Sequence, residues 1–279
     1  MNPKVALHDG TSIPAIGFGV WQVKPDETQA AVTHALEAGY RPVDTAPMYG
    51  SEAGVGAALA ASDLDRADVF VTSKLNDNNH APADARDSIA RTLDALQSDY
   101  VDLFLIHWPL ATLEVGFLDA WKVLIEEQAA GRIRSIGVSN FHPEHLDVLI
   151  NETGVAPVVN QVEVHPYFAN QRGRSGESRG IVTQAWSPLA SGALLADEQL
   201  AAIAAQAEAS VAQVVLAWHR PAGRIILPKS VTPSRIVENF ASLQVSLTPD
   251  QVAAIDALDR GIAGRTGPDP DEMTWVPKR

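Results

Sequence analysis

A carboxylate and a phenol lie close together in the segment YRPVDTAPMYGSE, residues 40–52. Asp44 ends a short apolar run, and Tyr49 follows five positions later among Ala, Pro, Met and Gly. The pair could be an ordinary strand end followed by a turn, or it could be two parts of a proton-transfer site. The residues in the rest of the chain distinguish between these two interpretations.

Chemically capable side chains also follow the other apolar runs. Lys74 and His107 resemble Asp44 in this respect, because each lies where a strand-like run ends. Burying these three groups without a purpose would cost several kcal/mol in desolvation. The set therefore favours a functional site over a structural ion pair with a hydrogen-bonded histidine. The side chains at the ends of successive runs are Trp21, Asp44, Lys74, His107, Ser139, Asn140, Gln161, Trp186 and Lys229.

Eight short aliphatic or β-branched runs are predicted to be strands. Most are almost continuously apolar, which is typical of parallel strands that are buried on both faces. The predicted strands are residues 16–20, 41–44, 69–74, 101–106, 133–138, 157–161, 181–186 and 224–228.

Helix-like segments rich in Ala, Leu and Glu separate these strands, for example residues 26–39, 83–97 and 114–131. Eight strand–helix units in 279 residues fit an α/β fold of the (β/α)8 TIM barrel type. The alternative is a doubly wound nucleotide-binding sheet, which needs a GxGxxG loop after its first strand. Gln22 stands where the third glycine of that loop belongs, so the barrel is preferred.

In a barrel the carboxyl ends of all strands face one common cavity, so the polar residues at the strand ends are predicted to converge. Residues 4–16 read as a β-hairpin on an Asp-Gly turn that caps the barrel bottom. Residues 170–180 contain three glycines and no apolar stripe, so a short or missing helix is expected there. No linker is evident, and residues 1–279 are expected to form a single domain.

Composition limits the possible functions. The formal net charge of −13 argues against a nucleic-acid partner, which normally selects a basic surface. The chain has no cysteine, so disulfides and thiol nucleophiles are excluded. No apolar run is long enough for a membrane span, and the first residues lack the pattern of a secretory signal. A soluble cytoplasmic protein is therefore expected.

Several stretches together resemble one family, the aldo-keto reductases, and in particular the bacterial 2,5-diketo-gluconate reductase branch. The matching stretches are GFGVWQV, EAGYRPVDTAPMYGSE, VTSKL, DYVDLFLIHWP, GRIRSIGVSNF, VVNQVEVHP, QAWSPL and ILPKSVTPSRIVEN. The resemblance covers nearly the whole chain. It implies a barrel that binds NADP(H), reversibly reduces small-molecule carbonyls to alcohols, and is usually a monomer.

The resemblance also implies a catalytic set of Asp44, Tyr49, Lys74 and His107. A carbonyl that accepts hydride needs a proton on its oxygen, and Tyr49 can donate one. A free phenol has a pKa of about 10, and a nearby ammonium such as that of Lys74 lowers it. Asp44 would hold Lys74 charged, and His107 would orient the carbonyl.

The segment PKSVTPSRIVEN, residues 228–239, suggests a phosphate site. Thr232 can cap a helix that starts at Pro233, and a helix N-terminus attracts phosphate. The nearby cations Lys229 and Arg235 then favour the 2′-phosphate of NADPH over NADH.

The resemblance assigns further cofactor contacts: a carboxamide at Ser139, Asn140 and Gln161, and a stacking face on Trp186, where many relatives have tyrosine. The expected cofactor residues are Ser139, Asn140, Gln161, Trp186, Ser187, Leu189, Ser191, Lys229, Ser230, Val231, Arg235, Glu238 and Asn239. The expected substrate rim is Trp21, Met48, Trp108 and the tail around Trp275.

Two other classes of protein stay open from the residues. A regulatory protein could keep the fold and the cofactor with little turnover, although the intact catalytic set favours an enzyme. A metal-dependent barrel hydrolase would need ligands clustered at strand ends, where His107 is the only histidine. His142 and His145 are three positions apart but have no third ligand in view, so no metal is expected.

Overall fold

The structure is a computed structural model that describes residues 2–112 and 116–276. It contains a short antiparallel pair of strands near the N-terminus and a larger parallel sheet. The strands are β1 (Lys4–Ala6), β2 (Ser12–Pro14), β3 (Phe18–Gly19), β4 (Pro42–Asp44), β5 (Phe70–Leu75), β6 (Val101–Ile106), β7 (Ile133–Ser139), β8 (Val159–Glu163), β9 (Val182–Trp186) and β10 (Ile225–Ile226).

The large sheet has eight parallel strands in the order β10-β9-β8-β7-β6-β5-β4-β3. Each strand therefore lies beside its neighbours in the chain, as short right-handed crossovers favour. Just before β3, Ile16 forms a parallel bridge with Ile226 of β10, so the sheet curls back on itself. All eight predicted strands are present, and the arrangement is consistent with a (β/α)8 barrel.

Helices follow most of the strands. They are α1 (Pro25–Ala38), α2 (Glu52–Ala60), α3 (Pro82–Leu96), α4 (Phe117–Ala129), α5 (Pro143–Thr153), α6 (Glu198–Gln206), α7 (Val211–Trp218), α8 (Pro233–Ala241) and α9 (Pro249–Asp256). The three helices proposed from the sequence match α1, α3 and α4. The third is predicted over residues 114–131, and its first two residues lie outside the described residues. Gly39 caps α1 with φ of 105°, a left-handed conformation that glycine adopts without strain.

The segment between β8 and β9 departs from the strand–helix alternation, as its composition predicts. Only a short 3-10 turn, Ser175–Arg179, forms there, and Gly180 ends it at φ of 77°. Glycines disfavour helix, and an apolar stripe that could pack on the sheet is missing. The chain nevertheless enters β9 in register with β8, and Val159 pairs with Val182.

The two N-terminal strands form the predicted hairpin, with Lys4 paired to Pro14 and Ala6 paired to Ser12. Gly10 adopts φ of 88° in the turn. Two apolar side chains of this hairpin region belong to one buried cluster together with strand residues of the large sheet. The cluster consists of Leu7, Ile13, Leu103, Leu105, Val158, Val159 and Ile225.

No single described helix is long and apolar enough to cross a membrane. The pair α6 and α7 meets the length and composition test only together, and the two helices are bent by 87° relative to each other.

Gly56 provides a test of how tightly α2 packs on α3. A methyl group at Gly56 would lie 2.5 Å from Ala95 O and 2.9 Å from Leu96 O. We expect Gly56→Ala to destabilise the protein by about 1–3 kcal/mol through overpacking, although alanine is the better helix former by about 1 kcal/mol. Chemical denaturation measures the change. Ala53→Ser on the exposed side of α2 is the control, with an expected effect within about 0.5 kcal/mol. A more stable Gly56→Ala variant would contradict this packing.

Candidate active site

Lys74 and Asp44 form a buried ion pair at the carboxyl end of the sheet. Lys74 Nζ donates to Asp44 Oδ1 at 2.5 Å and to Thr45 O at 3.0 Å. The lysine is fully enclosed, and the aspartate is 4% exposed. Burial lowers the pKa of Lys74, but the charge of Asp44 and the contact with Tyr49 raise it, and the pKa is higher than usual. Lys74 is therefore an ammonium at neutral pH.

Tyr49 lies at the end of a 3-10 turn, Pro47–Tyr49, that begins just after β4. Lys74 Nζ lies 5.0 Å from the centre of its ring. The phenol oxygen lies 3.5 Å from His107 Nε2. These distances bring Tyr49, Lys74 and His107 together, as the sequence predicts.

The pKa of Tyr49 differs in direction from the simple expectation. Burial raises it, Lys74 lowers it, and Asp44 raises it, so the pKa lies above the usual value of 10.0. The ammonium acts in the predicted direction but does not overcome the desolvation of phenolate. In this state of the protein the phenol is protonated at neutral pH and can donate.

His107 follows directly after β6 and is a neutral imidazole. Burial and the charge of Lys74 hold its pKa well below 6.5. Its Nε2 faces Tyr49 Oη, while its Nδ1 has no hydrogen-bond partner among the described residues. A neutral ring can still donate one hydrogen bond to a carbonyl oxygen, so it can orient a substrate without competing as an acid.

Ser139, Asn140 and Gln161 lie together next to the ion pair. Ser139 ends β7 and Asn140 follows it, but Gln161 lies in the middle of β8, because this strand runs to Glu163 and does not end at Gln161 as the sequence predicts. Ser139 Oγ donates to Gln161 O at 2.8 Å. Asn140 Nδ2 donates to Ser139 Oγ and to His107 O, both at 3.1 Å. Asn140 Oδ1 accepts from Trp186 Nε1 at 2.9 Å. The residues converge as predicted, but much of their hydrogen-bonding capacity is used among themselves.

Gln161 also contacts the ion pair, which the sequence did not indicate. Its Nε2 donates to Asp44 Oδ2 at 2.6 Å and to Gln184 Oε1 at 2.8 Å. Gln184 is fully buried on β9 and is absent from the predicted site. The period of two in a strand was the available signal, because Gln184 shares a face with Trp186.

Trp186 is half-buried at the end of β9, and the loop that follows contains unusual backbone conformations. Ser187, Ala190 and Ser191 have φ of 46°, 49° and 53°, the left-handed region that non-glycine residues rarely occupy. Such strain is concentrated at functional segments of proteins. Leu189 is half-buried in this loop and Ser191 is exposed, so the segment offers both backbone and side-chain groups to a ligand.

The N-terminus of α8 has the features of an anion site, with one correction to the prediction. Thr232 occupies the N-cap position and Pro233 the first position, but the Thr232 side chain makes no capping hydrogen bond. Instead, Thr232 N donates to Ser230 Oγ at 3.1 Å. Lys229 and Arg235 are both exposed, and neither forms an ion pair with any residue in the described ranges.

Two cations without an ion-pair partner in the described part of the chain lie beside this helix start and suit a phosphate group, which supports the predicted phosphate site. Val231, between Lys229 and the helix, is 45% exposed. On the next turn of α8, Glu238 is half-buried and Asn239 is buried.

The predicted substrate rim is only partly assembled. The rings of Trp21 and Tyr49 lie 4.9 Å apart, and Trp21 is 47% exposed. Met48 is half-buried, and its backbone N–H donates to Asn76 Oδ1. Trp108 is buried beside His107. Trp275 is exposed and makes no aromatic contact with these rings among the described residues.

A different part of the tail reaches the site. Thr266 N, Thr266 Oγ1 and Gly267 N all donate to the buried carboxylate of Glu163, at 2.7, 2.5 and 2.9 Å. Gly267 lies so close to Trp186 that a methyl group there would be 2.5 Å from the indole ring. His165 Nε2 lies 2.9 Å from Glu163 Oε1, so this carboxylate is fully engaged.

The acidic side chains near His142 are already engaged in ion pairs. His142 Nδ1 lies 2.8 Å from Asp271 Oδ1, and Arg172 pairs with the other oxygen of Asp271. His142, Asp269 and Asp271 lie close enough to hold an ion. Asp269 is however already paired with Arg265, so arginines neutralise both carboxylates.

The fold and the site define an oxidoreductase-like arrangement, and comparison with known proteins agrees. The family model of the aldo/keto reductase family matches residues 15–260, and the chain belongs to this family. It is 45% identical over 275 residues to an aldo-keto reductase of Mycobacterium sp. (strain KMS), covering 98% of this chain and 99% of that protein. It is also 45% identical over 275 residues to the methylglyoxal reductase DkgA of Yersinia pestis, covering 97% of each chain.

Solved structures agree with the fold. A mutant of Gox0644 in complex with NADPH superposes with a TM-score of 0.94 at 39% identity, covering 99% of this chain and 100% of that one. An aldo-keto reductase of Bombyx mori in complex with NADP gives 0.87 at 32% identity, covering 93% and 94%.

One further acidic group, Asp77, interacts electrostatically with Tyr49. Asp77 follows Lys74 by three positions, in the loop after β5, and it is fully buried. Neither carboxylate oxygen has a hydrogen-bond partner among the described residues. Burial raises the pKa of Asp77 from 3.8 to about 7. Its negative charge raises the pKa of Tyr49 in turn.

This pKa makes a prediction for stability. Between about pH 4 and pH 7 the folded protein binds more protons at Asp77 than the unfolded chain does, so the contribution of Asp77 to the free energy of unfolding falls as pH rises through this range. We expect Asp77→Asn to gain about 2–3 kcal/mol more relative to wild type at pH 8 than at pH 5. Urea denaturation at both pH values measures it, with the exposed Asp63→Asn as control. A gain that is equal at the two pH values would contradict the raised pKa.

Proposed function

We propose that this protein reduces aldehydes or ketones to alcohols with NADPH, using Tyr49 as the proton donor. The observation that carries the proposal is the convergence of Asp44, Lys74, Tyr49 and His107 at one end of the sheet. The chain's membership of the aldo/keto reductase family supports the same conclusion.

The proposed mechanism assigns one task to each side chain. NADPH, when bound, supplies a hydride to the carbonyl carbon. His107 Nε2 donates a hydrogen bond to the carbonyl oxygen and sets its direction. Tyr49 gives its phenolic proton to that oxygen as negative charge develops there, which completes the alcohol and leaves a phenolate. Lys74 stabilises this phenolate, and Asp44 keeps Lys74 charged and in place.

The residues present fit this cofactor. Lys229 and Arg235 lie beside the start of α8 without carboxylate partners in the described part of the chain, so they can receive the 2′-phosphate. Trp186 offers an indole face, and its N–H is fixed by Asn140. We assign Ser139, Asn140 and Gln161 to the carboxamide of the cofactor. The loop residues Ser187, Leu189 and Ser191 are assigned to the pyrophosphate. The α8 region is assigned to the adenosine end of the cofactor. This last group is Lys229, Ser230, Val231, Arg235, Glu238 and Asn239.

The proposed substrate class is small dicarbonyl or keto-sugar compounds. Relatives at 43–45% identity are named methylglyoxal reductases, and methylglyoxal is a small dicarbonyl. Trp21 flanks Tyr49 with an exposed ring and can cover one side of a small substrate. We place Met48 and Trp108 on the same rim.

A regulatory protein with little turnover is the alternative. It would bind NADPH but would have no use for an ammonium held beside a phenol. Loss of NADPH absorbance with a panel of carbonyl compounds distinguishes the two, because a regulatory protein would bind the cofactor and leave the absorbance unchanged.

We also propose the finer features of the architecture. The parallel bridge from Ile16 to Ile226 supports a closed (β/α)8 barrel in a single domain over residues 1–279. The cluster of Leu7 and Ile13 with Leu103 and Ile225 supports a hairpin that caps the barrel bottom. We also propose that the protein is a monomer and that the cytoplasm is its location.

Tyr49→Phe tests the proton donor. The ring and its contacts with Trp21 and Lys74 stay, but the proton is lost, so we expect kcat for carbonyl reduction to fall about 10²- to 10⁴-fold. The dissociation constant for NADPH should stay within about twofold, because the phenol is not assigned to the cofactor. Steady-state kinetics and fluorescence titration measure the two effects. Undiminished turnover would remove Tyr49 as the donor.

Arg235→Met tests the phosphate site. A charge-assisted hydrogen bond contributes about 1.5–3 kcal/mol, so we expect KM for NADPH to rise roughly 10- to 100-fold. KM for NADH should hardly change, because NADH lacks the 2′-phosphate. Arg91→Met removes the same charge from the exposed side of α3 and is the matched control. An equal rise in both KM values for Arg235→Met would argue against a 2′-phosphate contact.

A further inference from the structure

Two buried amides lie beside each other, and one of them contacts the ion pair. Gln161 of β8 and Gln184 of β9 are partners in the parallel register, so their side chains project from neighbouring positions on the same face of the sheet. Gln161 is 3% exposed and Gln184 is fully buried. Gln161 is expected to contact the cofactor, whereas the sequence predicts no role for Gln184.

The NH2 group of Gln161 has two protons and two acceptors. One acceptor is Asp44 Oδ2 at 2.6 Å, and the other is Gln184 Oε1 at 2.8 Å. Asp44 Oδ1 accepts from Lys74. A continuous row of hydrogen bonds therefore runs from Gln184 through Gln161 and Asp44 to the ammonium of Lys74.

This arrangement fixes which way the Gln161 amide points. Asp44 Oδ2 and Gln184 Oε1 are both acceptors, so the nitrogen of Gln161 must face them. Gln161 Oε1 then points away from this pair. It has no hydrogen-bond partner among the described residues, and it is not one of the enclosed polar atoms that lack a partner, so it stays accessible.

Gln184 has little reason to be polar apart from this contact. Its Nε2 is buried and has no hydrogen-bond partner among the described residues. A buried donor without a partner is unfavourable, and an apolar side chain of the same length would avoid it. Within the described ranges, the one hydrogen bond of the Gln184 side chain is the one to Gln161, so the effect of this side chain passes through Gln161.

We propose that Gln184 is a positioning residue that acts through Gln161. By accepting the second N–H of Gln161, it holds the first on Asp44 and keeps Gln161 Oε1 open as an acceptor for the primary amide of the nicotinamide. The inference rests on the proposed assignment of Gln161 to the cofactor carboxamide. It adds one link, from the cofactor amide to the ion pair that supports Tyr49.

A double-mutant cycle tests the proposal with Gln161→Met, Gln184→Met and the double variant. Methionine keeps the length of glutamine without its amide. The primary readout is the dissociation constant for NADPH, measured by quenching of tryptophan fluorescence in the absence of substrate. We expect Gln184→Met to weaken NADPH binding roughly 5- to 20-fold, the size of one buried hydrogen bond. The double variant should bind NADPH no more weakly than Gln161→Met alone.

Thermal unfolding of the cofactor-free protein is the second readout. Gln184→Met removes one buried N–H donor that has no partner, but it leaves an N–H of Gln161 without its acceptor. The midpoint of thermal unfolding should therefore change by about 2 °C or less. Thr183→Val is the matched control on the same strand, because it removes the hydrogen bond from Thr183 Oγ1 to Glu177 Oε1 at 2.7 Å. It should lower stability and leave NADPH binding unchanged.

Three results would overturn the proposal. One is a Gln184→Met variant that binds NADPH as the wild type does. Another is a double variant whose loss is the product of the two single losses, which would make the residues independent. The third is an equal loss of binding in Thr183→Val, which would indicate general damage to β9. A wild type that binds no NADPH would instead overturn the proposed function itself.

Discussion

The enclosed ammonium of Lys74 is the constraint on which the rest of the site depends. A charge with no access to water is tolerated only when hydrogen-bonding and charged partners surround it. Asp44 Oδ1 and Thr45 O meet this need from β4 and the residue after it. Losing one partner of such a pair typically costs about 3–5 kcal/mol. The registers of β4 and β5 are therefore fixed by the site as much as by apolar packing.

The electrostatic state of the neighbouring groups follows from that charge. Lys74 lowers the pKa of His107, which is already depressed by burial, so the imidazole stays neutral. Lys74 also opposes the rise that burial causes in the pKa of Tyr49. A protonated phenol suits donation during reduction, and the adjacent ammonium limits the energetic cost of the phenolate that remains. The same pair of opposed effects would allow the reverse reaction, which needs the phenolate to form before an alcohol is oxidised.

The sequence was sufficient for the strands and for most of the site residues, because both obey simple rules. Parallel strands buried on two faces are apolar, and in this fold class their ends converge, so Asp44, Lys74 and His107 could be placed together before any coordinates. Hydrogen-bond partners could not be predicted from the sequence by such rules. Whether Thr232 caps α8 depends on side-chain rotation, and the net pKa of Tyr49 depends on a balance between burial and charge that only atomic positions define.

Two parts of the chain show how independently the site and its periphery vary. The 3-10 turn at Ser175–Arg179 replaces a helix on the outer wall, yet β8 stays in place because β7 and β9 pair with it on both sides. Glu163, at the end of that same strand, binds Thr266 and Gly267 from the tail. The carboxylate of Glu163 thus holds a segment about a hundred residues later in the chain against Trp186. No local pattern in the sequence predicts this contact. The strands fix the chemistry of the site, whereas single polar side chains at their ends select which distant loops lie over it.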